Sequence, residues 1–260
     1  MESAVEAVVL SAGQGRRLLP LTRALPKCLL PVAPGGGTVL DVQLETLARH
    51  GVRKATVMVG FGAERVEEHV RSRAPAGLEV ELVLNPLHPH SDNLVSAWLA
   101  TFRVSGDFLL LNGDTLFEGE VLRRLLSAED AAVALAMDRK DAYDLDDMRV
   151  WLGEGGALEG IGKGRRERAP DGEAIGIYAF RGRGVEAARD EFARSIAEPE
   201  GLGSWYPPVL EKLARREKIL PVPIDGLWWT EIDVAEDLEK ARVELGSHPP
   251  GRGASPAPSG

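Results

Sequence analysis

Between Val8 and Val32 the chain reads VVLSAGQGRRLLPLTRALPKCLLPV: an apolar run, a glycine turn, then Arg16, Arg17, Arg23 and Lys27 with no acidic residue among them. Small residues at Ser11, Ala12, Gly13 and Gly15 let backbone N–H groups approach an anion closely, and the cations bring further positive charge. The stretch reads as a cradle for a nucleoside triphosphate. Two familiar phosphate loops do not account for it. The pattern G-x-x-x-x-G-K-[ST] is absent, and Leu18 stands where a dinucleotide fold needs its third glycine. Pro20, Pro26 and Pro31 forbid one long helix here, so the cationic segment is expected to form an irregular lid over the ligand. The competing reading is an ordinary basic surface loop.

Three carboxylates could act with that loop. Asp114 follows the buried run DFLLL of Asp107 to Leu111, and a carboxylate just past a central strand is where a hard divalent cation on a triphosphate can be held. A turn-forming aspartate beside Gly113 is the plainer alternative. Near the other end, an extended Trp228–Asp233 segment puts Trp229, Glu231 and Asp233 on one face. Glu231 and Asp233 can there complete a cation site begun by Asp114, although Asp233 with Glu236 also spells a capping box for the next helix. His88 and His90, with no further His or Cys nearby, read as a solvated loop, and Cys28 as a small core residue.

Leu10, Ser11, Ala12, Gly13, Gly15, Arg16, Leu18, Pro20, Thr22, Pro26 and Lys27 together resemble the L-A-A-G-x-G-x-R-L-x-P-x-T-x-x-x-P-K signature of the nucleotidyltransferases that make sugar nucleotides and related activated alcohols. Ser11 replaces one alanine. Asn85, Asp92-Asn93 and Ser96 resemble the N…N-N-x-x-S segment of the small cytidylyltransferase branch, which acts on phosphocholine, inositol 1-phosphate and certain phosphonates. Asp92 replaces that branch's first Asn, and the Leu after Ser is missing. Trp229 to Leu238 resembles the W-x-E-I-D-x-x-x-D-L pattern that ends the family's catalytic domain. The resemblance implies that Arg16 and Lys27 hold the phosphates, that Mg²⁺ sits on Asp114, Glu231 and Asp233, and that the Leu10–Gly13 turn with Gly15, Asn93 and Ser96 meets the nucleotide. It further implies Asn85, Lys163, Glu173 and Trp229 around the acceptor. Among Trp151, Trp205, Tyr206, Trp228 and Trp229 an aromatic cage for a choline ammonium can be drawn, though each is equally a core aromatic.

These residues need a frame. Apolar runs at Val5 to Leu10, Ala55 to Val59, Leu78 to Leu84 and Asp107 to Leu111 alternate with helical patterns, a β-α-β-α-β rhythm that predicts an α/β, Rossmann-like, mostly parallel central sheet with helices on both faces. Such sheets bind ligands beyond the carboxyl ends of their strands. A helix N-capped by Ser91 or Asp92 should run to about Phe102 and aim Asn93 into the cleft. Residues 138–172 are polar and irregular, with short strands at Arg149–Leu152 and Ala157–Ile161, and Ala174–Phe180 is a clear strand. Ile219–Ile224, with Pro221 and Pro223, reads as an edge strand.

The 260 residues, 44% of them hydrophobic, suffice for one large domain, expected over residues 1–245, followed by a disordered tail over 246–260. A formal charge of −9 disfavours general attraction to nucleic acid or an anionic membrane, so phosphate binding must be local. The single cysteine rules out an internal disulfide and suits a cytoplasmic protein. The function expected is transfer of a nucleotidyl group, with CTP and a small phosphate or phosphonate acceptor as partners and room for a homodimer. The rivals are a hexose 1-phosphate nucleotidyltransferase and a silent nucleotide-binding regulatory subunit.

Overall fold

The computed structural model describes residues 5–128, 131–164 and 166–247. The tail expected over 246–260 therefore lies, beyond Ser247, outside the described residues.

Strand β1 (Glu6–Ser11) is buried along its whole length and leads into the glycine turn. The prolines break the cationic segment into two short 3₁₀ turns, Arg16–Leu18 and Lys27–Leu29. A small ribbon of β2 (Pro31–Ala33) and β3 (Gly37–Thr38) closes it. Helix α1 (Val39–Arg49) opens on a reciprocal cap: Asp41 N donates to Thr38 Oγ1, and Thr38 N to the Asp41 carboxylate. Then come β4 (Lys54–Val59), α2 (Ala63–Arg73), β5 (Glu79–Leu84), α3 (Asn93–Ala100) and β6 (Phe108–Asn112). Asp92, one of the two expected caps, accepts from Asn93 N at the start of α3.

The second half holds β7 (Thr115–Phe117), α4 (Glu120–Leu126), β8 (Val133–Asp138), β9 (Arg149–Leu152), β10 (Leu158–Gly162) and β11 (Gly172–Phe180). It ends with α5 (Arg183–Ile196), α6 (Tyr206–Leu213), β12 (Ile219–Pro223), β13 (Trp229–Glu231) and α7 (Ala235–Leu245). The nine-stranded sheet runs β10-β9-β11-β6-β1-β4-β5, with β8 branching from β11 and β12 pairing with β8. Strands β6, β1, β4 and β5 are mutually parallel, each step crossing over through a helix. Strand β11 joins β6 antiparallel, and the two proline positions of β12 are accommodated because, among the described residues, β12 pairs with β8 on one side only. The change of direction falls at the β6–β11 seam. There Gly176 has φ +80° and lies against Asn112, where an added Cβ would come within 2.4 Å of the Asn112 side-chain nitrogen. The β8–β11 register also shifts between Ala174 and Tyr178, a kink that turns this part of β11 toward the cleft.

One apolar layer packs α1, α2 and α4 on one face of the sheet, and a second packs α3, α5 and α6 on the other. A third, smaller cluster is the one that matters for the site. Leu18 and Leu30 from the lid, Val39 and Val42 from α1, Leu116 from β7, Ile232 after β13 and Leu238 from α7 pack together. Strand β13 pairs antiparallel with β7, so Glu231 faces the turn that carries Asp114, and Ile232 N donates to Asp114 O. Both ends of the described chain thus meet over the end of β6.

The expected cap of α7 differs from the sequence reading. Asp237, not Glu236, accepts from the backbone N–H groups of Asp233 and Val234, each at 2.9 Å. The Asp233 carboxylate is therefore free to turn toward cations. Among the described residues no helix is long and apolar enough to cross a membrane.

Candidate active site

Beyond the carboxyl ends of β1 and β6 lies a cleft of about 400 Å³. Leu10, Ser11, Gly13, Gly15, Arg16, Lys27, Asn93, Asp114, Lys163, Glu173, Glu231 and Asp233 all line it. A smaller hollow of about 100 Å³ opens beside it between Leu10, Ala12, Gly13, Asn85, Asn93 and Ser96.

The glycine turn is held by its own chain. Gly15 adopts φ 72°, its carbonyl accepts from the Thr22 hydroxyl at 2.8 Å, and Leu18 N donates to the same oxygen at 3.0 Å. Any side chain at Gly15 would strike the stem of Lys27, with a Cβ falling 2.9 Å from Lys27 Cβ. The lysine is laid along the loop by that close fit. Its ammonium reaches Asp114 Oδ2 at 2.7 Å and Asp233 Oδ1 at 2.8 Å. Burial alone would lower its pKa, but the two carboxylates overcome this and raise it. Arg17 takes the other Asp233 oxygen at 2.8 Å and also reaches Asp146. Arg16 lines the cleft from an exposed position, whereas Arg23 does not line it.

Asp114, Glu231 and Asp233 offer oxygens that lie within 4.8 Å of one another. Burial, then the charges of Asp114 and Asp233, push the Glu231 carboxyl up to about 8 against the pull of Lys27. Asp233 is likewise disfavoured by burial, yet Lys27 and Arg17 hold it below the ordinary aspartate range. Asp114 Oδ1 is buried without a hydrogen-bond partner among the described residues. An orphaned carboxylate oxygen beside two further carboxylates is the donor set that a hard divalent cation prefers.

The hollow is built from α3 and the loop before it. Asn85 is fully committed: Leu87 N donates to its Oδ1, and its Nδ2 donates to Ser91 Oγ and Ser96 Oγ. It shapes the hollow and, unlike Lys163 and Glu173, does not line the cleft. Asn93 Oδ1 accepts from Tyr206 N at 3.1 Å, which leaves its amide N–H groups for a ligand.

At the opposite end stand Lys163, just after β10, and Glu173, near the start of β11. The Lys163 ammonium lies 4.6 Å from the centroid of Trp205 and 3.9 Å from Asp146. Glu173 is buried beside Lys140, and burial pushes its carboxyl up to about 7 despite that neighbour. Trp229 is the correction here. Its indole N–H donates to Asp138 at 2.8 Å, Lys140 lies over its ring, and it does not line the cleft. Of the other candidate aromatics, Trp205 lines the wall, while Trp151 is covered by Arg166 and Tyr206 is buried with its hydroxyl on Asn112. Arg17, Asn112 and Tyr178 also line the cleft. The arginine place of the loop signature, two residues after Gly15 and directly before Leu18, falls on Arg17 and not on Arg16; nothing in local sequence marks Asn112 or Tyr178, which reach the site through the β6–β11 pairing.

Residues 6–142 match the family described as "Nucleotidyl transferase". This chain is a nucleotidyl transferase family member. It is 29% identical over 92% of its length to a "Bifunctional IPC transferase and DIPP synthase" of Aquifex aeolicus, of which it spans 51%. It is 39% identical over 51% of its length to a "CMP-5'-(3-aminopropyl)phosphonate synthase" of Streptomyces rubellomurinus, of which it spans 20%. An "N-acetylmuramate alpha-1-phosphate uridylyltransferase" of Caulobacter vibrioides is 30% identical, covering 85% of this chain and 89% of that protein. The first two relatives are thus much longer than the matched region. Among solved structures, the inositol-1-phosphate CTP transferase from T. maritima superposes with a TM-score of 0.77 at 24% identity, covering 98% of this chain and 100% of that one. At that identity the likeness is one of fold. The family and the fold implied by the loop signature are therefore those of this chain.

Proposed function

We propose that this nucleotidyl transferase moves a cytidylyl group from CTP to a small phosphorylated alcohol or phosphonate. An acceptor oxygen attacks the α-phosphorus, the bond from that phosphorus to the oxygen bridging the α- and β-phosphorus atoms breaks, and pyrophosphate leaves. The observation that carries the reading is the meeting of Lys27, Asp114, Glu231 and Asp233 over the glycine turn.

Phosphoryl and nucleotidyl transfers need little covalent help; positioning and charge neutralisation do most of the work. Backbone N–H groups from Gly13 to Gly15, with Arg16 and Lys27, orient the β- and γ-phosphates. The three carboxylates suit Mg²⁺, which when bound supplies charge neutralisation at the reacting phosphate. Lys163 holds the acceptor phosphate, and Glu173 and Trp205 face the rest of the acceptor. A carboxylate and an exposed indole together suit an ammonium-bearing, phosphocholine-like head group.

Preference for CTP rests on Asn93 and Ser96 beside the hollow. With Oδ1 engaged by Tyr206 N, Asn93 presents only donors. A donor suits cytosine N3, an acceptor, and conflicts with uracil N3, which carries a hydrogen. The Streptomyces relative, whose name contains CMP, supports the same choice. A hexose 1-phosphate acceptor with UTP is the second reading, favoured by the Caulobacter uridylyltransferase that matches along most of both chains. Pyrophosphate release measured across CTP, UTP, dTTP and GTP with phosphocholine, inositol 1-phosphate, 2-aminoethylphosphonate and hexose 1-phosphates separates them. CTP should lead by at least about tenfold in kcat/KM, the worth of one well-placed hydrogen bond. A UTP and hexose 1-phosphate pair performing better transfers the assignment to the second reading.

A further inference from the structure

The Lys27 ammonium stands among the oxygens that a divalent cation would use. It touches Asp114 Oδ2 at 2.7 Å and Asp233 Oδ1 at 2.8 Å, and the candidate ligand oxygens of Asp114, Glu231 and Asp233 lie within 4.8 Å of one another. The lysine side chain is only 12% exposed, so this is a desolvated contact and not a surface pair screened by water. We infer that Lys27 is an internal placeholder for the divalent cation: in the free protein its ammonium balances the carboxylates, and cation and triphosphate enter together because the triphosphate draws that ammonium away.

Three features support the exchange. Charge comes first. Among the described residues, Lys27 and Arg17 are the cations paired with Asp233, and Lys27 is the cation paired with Asp114. A cation entering by itself must push the ammonium into a cleft whose anionic partner is not yet there. It gains the carboxylates but strands a buried positive charge, and such a charge is costly unless paired. With the β- and γ-phosphates present, the displaced ammonium finds anions and the cost vanishes.

Reach comes second. The Lys27 stem lies against Gly15 so closely that a Cβ there would meet Lys27 Cβ at 2.9 Å and Cδ at 3.0 Å. Glycine with φ +72° is what lets the stem lie in the phosphate loop itself. Rotation about the last side-chain bonds then carries Nζ from the carboxylates toward the loop N–H groups while the stem stays where it is.

The third feature is the unsatisfied acceptor. Asp114 Oδ1 is buried with no hydrogen-bond partner among the described residues, although Oδ2 of the same group holds Lys27. The monocation leaves part of the ligand set unused, as a stand-in for a doubly charged ion does.

The proposal rests on the reading that these carboxylates hold a cation, and the test separates the two. Mn²⁺ binding is measured by electron paramagnetic resonance on the whole chain, without nucleotide, for wild type, Lys27→Met, Lys27→Gln and Lys27→Arg. Lys27→Met keeps the stem length and removes the charge; Lys27→Gln serves if the methionine variant does not fold. Loss of the placeholder should tighten Mn²⁺ binding at least about tenfold in the neutral variants, a coupling of ordinary size. Lys27→Arg, which keeps the charge, should show no such gain. A non-hydrolysable CTP analogue should raise Mn²⁺ affinity strongly in wild type and less in Lys27→Met, since linkage is reciprocal. Equal or weaker Mn²⁺ binding in the neutral variants overturns the placeholder while leaving the cation site standing. Absence of saturable Mn²⁺ binding in every protein, with and without the analogue, overturns both.

Discussion

Lys27 carries two duties, neutralising carboxylates in the free protein and holding phosphate during transfer, so its removal should be expensive for turnover and should also cost stability, because Asp114 and Asp233 lose a desolvated partner. Lys27→Ala is expected to lower kcat by about 10²–10³ or more, the usual loss when one preorganised charge is removed from a transferring phosphate. Circular dichroism should stay unchanged; near-normal turnover would take Lys27 out of the site. Glu173 allows a test of stability. Its carboxyl sits at about 7 in the folded protein against an ordinary 4.5, chiefly through burial. Below the lower value both states are protonated. Between 4.5 and 7 the unfolded chain gives up its proton first, so this residue makes stability fall as pH rises, and the loss levels off above 7. Glu173→Gln should remove up to about 3 kcal/mol of that fall, while Lys140 keeps Asp147 as partner at 3.1 Å. Urea midpoints at pH 4.5 and 7.5 check it: the variant should show the flatter profile, and parallel profiles would refute the assignment.

At the scale of elements, α3 and β11 do more than local sequence announces. Asn93 opens α3, and its carbonyl oxygen also anchors the first residue of α6, Tyr206. Asn93→Ala should erode the preference for CTP over UTP more than it lowers the rate with CTP; an unaltered ratio of kcat/KM values would remove Asn93 from base selection. Gly176 sits at the β6–β11 seam with φ +80°, and a methyl group there meets Asn112. Gly176→Ala should destabilise the fold by roughly 1–3 kcal/mol, through backbone strain and the displaced Asn112, readable as a lower thermal midpoint. The loop signature, the buried strands and the acid pattern near Asp233 were legible because each is encoded within a few adjacent residues. What was not legible depends on pairing across the chain. Trp229 shares a strand face with Glu231, yet its ring is turned to Asp138 by the neighbouring β8. Asp237 displaces Glu236 as the cap because the helix begins one residue later than the D-x-x-E spacing suggests. Asn85 matched a sequence pattern, but its polar atoms are consumed in shaping the loop.

Over the whole molecule, the small cluster of Leu18, Leu30, Leu116, Ile232 and Leu238 ties the two ends of the described chain together, and with them Lys27 to Glu231 and Asp233. The single thiol, beside Lys27 in the lid and packed in the layer of α1, α2 and α4, reports on the integrity of the lid. Cys28 is 2% exposed, and burial pushes its thiol up to about 12, only partly offset by the Ser11 hydroxyl. At pH 8 only about one thiol in ten thousand is ionised, so iodoacetamide should leave the native protein unmodified and label it stoichiometrically in denaturant. Rapid labelling under native conditions would show that the site opens. Cytidylyl transfer itself is read by following the label from CTP carrying ³²P at either the α or the γ position, with Mg²⁺ and phosphocholine or 2-aminoethylphosphonate. Cytidylyl transfer places the α label in an acceptor-linked product and the γ label in pyrophosphate; α label recovered only as CMP, or γ label as inorganic phosphate, in the absence of any pyrophosphatase, would contradict it.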